Sequence, residues 1–446
     1  MIQDMTKGTP SKILWRFTLP LFLSVVFQQL YSIVDSVVAG RFAGTDALAA
    51  VGASYPITMI YMAVATGTNI GCSVIISQLF GQKDSTKMKT AIYTSLVSAL
   101  VLSILLTIFG TLTCNSFIHL LGTPKNIFSD SALYLRIYMF GLFFLFLYNI
   151  STGIFTALGD SKTPLLFLII SSLGNVVLDL VFVIRFHMGV AGVAWATFAA
   201  QGFSSILAIV VLLKRIRSIK TEHSPSLFSR SMFYKISRIA VPSILQQSFV
   251  SVGNLFIQSL VNGYGSNVIA GYSAAVKLNT FAITSLTTIG NGLSNFSGQN
   301  IGAGKIERVK EGFRSGVKMV LAISLMFTFA YFGFGRFFIR IFLDGAEKEA
   351  LNAGVSFFKI VSPFYVIVAV KLISDGVIRG GGAMKAFMIS TFSDLILRVV
   401  LAYILVLPFA STGIWLSWPL GWIVGAILSF IFYKRGVWII KDENQG

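Results

Sequence analysis

Charge is scarce in this sequence. Of its 446 residues only 12% are charged, against about a quarter in ordinary soluble domains. Histidine and cysteine are scarcer still, with 3 and 2 copies. Cys72 and Cys114 lie in or beside apolar stretches, so neither a disulfide framework nor a Cys/His metal spacing is available. His119, His187 and His223 fall near span ends or in a linker, away from one another. No HExxH, GxSxG or P-loop motif occurs, which argues against an intramembrane enzyme and an ATP-driven pump. Short alternating segments of about ten residues are also missing, which excludes a transmembrane β-barrel.

What is abundant is apolar surface. Hydrophobic residues make up 55% of the chain, 40 of them Phe, and the mean hydropathy is +0.80. Runs long enough to cross a bilayer, about 20 residues, recur from end to end. The fold class expected is all-α and polytopic, with twelve transmembrane helices. They are placed at 13–39, 47–79, 88–113, 131–156, 165–186, 189–213, 236–262, 268–298, 312–342, 352–378, 386–407 and 412–433. The first is too long for a signal-peptide core and is expected to remain as a helix.

A net charge of +18 invites a nucleic-acid reading. Its distribution supports another. About 24 Lys and Arg fall in alternate segments, from Lys7 and Lys12 through Lys214–Arg238 and Lys305–Lys318 to Lys441, and about six fall on the opposite side. That positive-inside bias puts both termini in the cytoplasm, with no nucleic-acid partner.

The basic stretch 214–235 divides the chain after six spans. The domains expected are an N-terminal lobe (1–213), a cytoplasmic linker (214–235), a C-terminal lobe (236–433) and a tail (434–446). The halves echo each other. Pro20 answers Pro242, "SQLFGQKD" (77–84) answers "GQNIGAGK" (298–305), "GIFTALGDSK" (153–162) answers "GVIRGGGAMK" (376–385), and "GVAWAT" (192–197) answers "GIWLSW" (413–418). Six crossings return the chain to its starting side, so the repeats run parallel, a pattern that goes with rocking lobes and a central cavity.

Polar residues inside the spans are the candidates for function, because each is costly in hydrocarbon. Gln28, Tyr31 and Asp35 share one face of the first helix. Asn175 and Asp179 are four apart in the fifth, as are Thr197 and Gln201 in the sixth. Turned toward each other, these stripes bring two carboxylates into one buried site. Two carboxylates there cannot both stay charged, so one holds a proton or a cation neutralises the pair. Asn175 and Thr197 add neutral oxygens suited to Na+ or to an acid's hydrogen bond. The structural alternative is that these groups only bond helices together. In the second half, Lys371–Asp375 and Asp394–Arg398 are each four apart and can neutralise themselves within one helix, while Lys277 has no evident local partner. The two pairs are read as packing or gating salt bridges or, for Lys371 and Asp375, as a relay coupled to substrate; together with Lys277, and with Gln28, Tyr31 and Gln201 of the first half, they are the candidates for the substrate cavity or its gate. Repeat matching sets Arg398 opposite Asn175. "GTNIG" (67–71) has the spacing of a close helix contact.

"YSIVDSVVAGRF" with "ALAAVG", "GQKD", "ALGDSKTP", and "NVVLD" followed by "GVAWAT" together resemble the multidrug and toxic compound extrusion (MATE) family, nearest its prokaryotic DinF-like branch. The resemblance covers nearly the whole chain. It implies an H+- or Na+-coupled antiporter exporting amphipathic, often cationic, organic compounds across the cytoplasmic membrane by alternating access. It makes Asp35, Asn175, Asp179 and Thr197 the cation site, with Na+ as the only metal in question. No cofactor beyond the coupling ion is implied, and the chain is expected to work as a monomer in the bilayer. A few Phe and Met side chains are expected to form soft, adaptable pocket walls. The NorM branch carries an acid in its seventh helix. Here that helix has Gln246, Gln247, Asn254 and Gln258 but no acid, so that second Na+ site is in doubt. A flippase for a lipid-linked precursor is the alternative, kept alive by Lys277, Lys371 and Arg398.

Overall fold

The computed structural model describes residues 2–38, 42, 45–343 and 348–439; the side chains of 33–38, 45, 46 and 48 lie outside the described set. Among the described residues there is no strand. The helices are α1 (Pro10–Val38), α2 (Thr45–Gly81), α3 (Ser85–Leu120), α4 (Lys125–Ala157), α5 (Lys162–Leu180), α6 (Gly189–Ser218), α7 (Arg230–Asn262), α8 (Ser266–Gly302), α9 (Ile306–Phe342), α10 (Lys348–Val361), α11 (Tyr365–Gly380) and α12 (Met384–Lys434). A chain this apolar has little choice, since only a helix satisfies every backbone group within one membrane-spanning segment.

These helices supply twelve crossings. A 3-10 turn (Ser362–Phe364) carrying Pro363 joins α10 to α11, which together make one span. α12 is two legs meeting at Ala410, two residues after Pro408, where φ is 50°. The turn there is tight enough that a Cβ on Gly413 would sit 2.0 Å from the Leu405 carbonyl oxygen. Among the described residues ten helical spans, α12 among them with both legs, are long and apolar enough to cross a membrane on composition alone. α8 is not, because Lys277, Asn279, Asn291, Asn295 and Asn300 interrupt its hydropathy; most of those amides are buried inside the fold. The stretch 214–235 is partly helical. Lys and Arg are good helix formers whose heads reach water, so α6 and α7 run on into it. The remaining loop is pinned to α3 by Ser226 and Ser229, whose amides donate to the Thr90 and Thr94 hydroxyls.

The chain packs as two compact units. One comprises Met1–Asp4 and Leu23–Ser248, the other Met5–Phe22 and Phe249–Gly446. α1 and α7 each change unit a few residues past a proline, Pro20 and Pro242, where the helix lacks one backbone hydrogen bond.

In the first unit, Tyr61, Met139, Leu142 and Phe146 form the core between α2, α3 and α4. Gly67 and Gly71 of α2 face the backbone of Ile244 and Ala240 on α7. A Cβ on either would come within 2.6 Å of α7, so the "GTNIG" spacing is a helix-packing device. The second unit is aromatic, with Tyr331 stacked on Phe358 at 4.7 Å and Tyr272 on Trp415 at 5.0 Å. There α8 and α11 touch glycine to glycine, a Cβ on Gly376 falling 2.4 Å from the Gly290 carbonyl oxygen. This contact sets the polar face of α11 deep inside the unit.

Candidate functional site

In the first unit, α1 and α5 bring three of the expected residues into one hydrogen-bonded chain. The Tyr31 hydroxyl donates to Asn175 Oδ1. The Asn175 amide in turn donates to Asp179 Oδ2 at 3.1 Å. Asn175 and Asp179 are buried, Asp179 completely. α5 then gives way to a π-helical turn, Val181–Arg185, two residues after Asp179. Such turns occur often at functional sites. Asp35 stands one turn beyond Tyr31 on the α1 backbone, and its side chain lies outside the described residues.

Thr197 and Gln201 lie apart from this hydrogen-bonded chain. The Thr197 hydroxyl donates to the Val193 carbonyl at 3.1 Å, back-bonding into its own helix. Both side chains line a crevice with Tyr134, Tyr138 and Phe198. Thr197 makes no hydrogen bond to Asn175 or Asp179 among the described residues. Gln28 is exposed on α1.

The second unit holds a buried ionic network. Lys371 Nζ lies 2.9 Å from Asp375 Oδ2 and 3.6 Å from Asp394 Oδ2. Asp375 Oδ1 accepts from Ser390 at 3.2 Å and Ser429 at 2.5 Å, one on each leg of α12. Lys371–Asp375 therefore pairs within its helix as expected. Asp394–Arg398 does not. Asp394 turns to Lys371, and the longer Arg398 side chain runs past it to lie over the Trp418 ring, 4.4 Å from the centroid. Gly421 and Gly425 make this possible by leaving room for Asp394 and for the Lys371 stem. Lys277 is exposed, with no ion-pair partner among the described residues.

Sequence reasoning did not single out Arg379. The residue is buried, bonded to Asn291 of α8 and stacked over Phe387. Lys371, Asp375 and Arg379 repeat every four residues, and that stripe was the available signal.

Two motifs prove structural. Asp160 of "ALGDSKTP" accepts from the Thr163 amide and hydroxyl and pairs with Arg215 at the end of α6. Burial pushes its carboxyl up, but these hydrogen bonds prevail and hold it below the usual carboxylate range. In "GQNIGAGK", Gln299 Oε1 accepts from the Met5 amide at 2.9 Å, and the Asn300 amide donates to the Met5 carbonyl. The N-terminal segment is thereby stapled to α8.

Comparison with known proteins agrees with this architecture. The "Probable multidrug resistance protein YpnP" of Bacillus subtilis (strain 168) is 29% identical over 437 residues, spanning 98% of this chain and 97% of its own. An "FAD transporter" of Shewanella oneidensis is 21% identical over 407 residues, covering 90% and 88%. Among solved structures, an outward-facing multidrug resistance MATE family transporter superposes with a TM-score of 0.91 at 24% identity, over 98% of this chain and 97% of that one. The MatE family model matches twice, at residues 20–181 and 242–404. Those matches cover most of the sequence, and the chain belongs to the MatE family, as a polytopic membrane transporter and not an enzyme.

Proposed function

We propose that this chain is a secondary antiporter of the cytoplasmic membrane, working as a monomer with both termini in the cytoplasm. It exports amphipathic, often cationic, organic compounds in exchange for H+ or Na+. The observation that carries the proposal is the Tyr31–Asn175–Asp179 chain, a buried carboxylate with a hydrogen-bonded amide in an otherwise apolar helix bundle. Asp35 on the same face of α1 as Tyr31 is its partner acid. A carboxylate held this way can gain and lose a proton. With the Asn175 amide turned, its oxygen and those of Asp179 would also suit Na+. The relatives' multidrug names support the choice of cargo, and a flippase for a lipid-linked precursor is not favoured.

An ion drives transport only if its affinity differs between the two conformational states. The test is dye efflux from proteoliposomes under separately imposed H+ and Na+ gradients, with the parent, Asp35→Asn and Asp179→Asn. Either substitution keeps the shape and removes the reversible charge. Each is expected to abolish gradient-driven efflux while leaving folding and most dye binding intact. Uphill efflux at the parental rate by Asp179→Asn would remove Asp179 from the coupling site.

A further inference from the structure

The second unit contains a buried cation whose hydrogen-bonding capacity is nearly unused. Arg398 is 4% exposed. A guanidinium offers five N–H donors, yet among the described residues this one makes a single hydrogen bond, a long contact of 3.5 Å from Nη2 to the Asn254 amide oxygen. Its Nε has no partner. Asp394, one turn earlier on the same leg of α12, lies with Lys371 and makes no ion pair with Arg398. Its charge is balanced nearby, but its donors are not, and a desolvated charged donor left idle is costly.

The surroundings hold this group ready for a ligand. The Trp418 ring fixes the guanidinium plane from one side at 4.4 Å. Its edge then points at α7, where position 253 is a glycine. A Cβ there would already stand 3.8 Å from Nη2, in van der Waals contact with it, so the missing side chain at 253 leaves the Asn254 amide as the hydrogen-bonded cover of the tip. The next residue, Asn254, is exposed. Moving one surface amide, held by one long hydrogen bond, therefore opens the fork to whatever lies against α7. A planar guanidinium lying over an indole, with its edge held by one long hydrogen bond, suits a two-pronged oxyanion, which a lysine could not match.

We propose that Arg398, with Trp418 behind it and Asn254 as a displaceable cover, binds a carboxylate or phosphate group carried by the cargo. This rests on the export reading above and extends it: the cargo includes zwitterionic and acidic amphipaths, not cations alone.

A pair of dyes tests this, a rhodamine with a free carboxyl group and the ethyl ester of the same rhodamine. Affinities are read by fluorescence polarisation on purified protein. The free acid is expected to bind the parent about tenfold or more tightly than it binds Arg398→Gln, while the ester changes less than about twofold. Asn254→Asp provides a second variant at an exposed position. It supplies a carboxylate in place, occupies the fork, and is expected to weaken the acid selectively while raising thermal stability. An acid-to-ester affinity ratio that is the same in parent and both variants overturns the proposal, as does failure of the acid to bind the parent. Inorganic phosphate is the remaining arm. If phosphate alone displaces the acid as effectively as unlabelled acid does, the site holds a free anion and the assignment to cargo is wrong. Ester efflux by the parent reports separately on the export reading. Its absence alongside intact, Arg398-dependent acid binding would sink export and leave the oxyanion site standing.

Discussion

Replacing Lys371 with Met asks how much a buried, shared lysine contributes to the second unit. Methionine keeps the length and volume of the stem that packs against Gly425, so the change is chiefly electrical. Lys371 sits 2.9 Å from one carboxylate and 3.6 Å from another, all three groups buried. Its removal leaves Asp375 and Asp394 facing each other without their cation, a loss of about 3–5 kcal/mol by precedent for broken buried pairs. The exposed pair Lys310–Glu307 is shorter, at 2.6 Å, yet Lys310→Met is expected to cost less than about 1 kcal/mol, because water screens it. Burial, not distance, decides. Asp375→Asn is expected to be milder, about 1–3 kcal/mol, since Lys371 and Asp394 remain as a balanced pair. The double variant Lys371→Met/Asp375→Asn leaves Asp394 balanced by Arg398 one turn away. It is expected to recover about 1–3 kcal/mol relative to the sum of the single changes. Unfolding in mixed micelles, followed by tryptophan fluorescence, measures all five proteins. Two results would refute the reasoning: a double variant whose loss equals the plain sum of the two single losses, or a Lys371→Met loss no larger than that of Lys310→Met.

Three further outcomes are expected. Gly71→Val forces a side chain into Ala240 of α7, where a Cβ already meets the Ala240 backbone at 2.8 Å; the overpacking is expected to cost about 1–3 kcal/mol, read as a lower melting temperature in detergent. Asp160→Asn tests the cap between α4 and α5. The Asp160 carboxyl is held below its ordinary value, so its stabilising effect is full above the unfolded pKa, about 3.9, and disappears as pH falls through the lower folded value. The stability gap between parent and variant is thus expected to be constant near neutrality and to close below about pH 4, and a gap that instead widens on acidification contradicts this reading. Tyr31→Phe removes the hydroxyl that donates to Asn175, freeing the amide to rotate away from Asp179; the pH or Na+ dependence of efflux is expected to shift while dye affinity stays near the parental value.

Some of this was readable from the sequence because hydrophobicity and helical spacing are local properties. The spans follow from apolar runs, and the Asn175–Asp179 contact follows from residues four apart on one face, with Tyr31 reaching them from α1. The second unit shows where such reasoning stops. A spacing of four gives Asp394 and Arg398 an opportunity to pair, but the short carboxylate has Lys371 within reach and the long guanidinium has an indole to lie on. Tertiary packing chooses, through Gly421, Gly425 and Trp418, none of which advertises an ionic role. Arg379 was hidden for a related reason. Near the end of a span, a buried arginine and a loop arginine look alike in composition, and only its register with Lys371 and Asp375 separates them. Thr197 had the right spacing and spends its hydroxyl on its own helix. The repeat nevertheless carries information beyond topology. At matched positions one half has Asn175, an amide feeding a carboxylate, and the other has Arg398, a guanidinium without one. Under the proposals made above, the first half handles the coupling cation and the second supplies a place for negative charge, and the two chemistries of an antiporter that also carries acids would have diverged from one duplicated helix face.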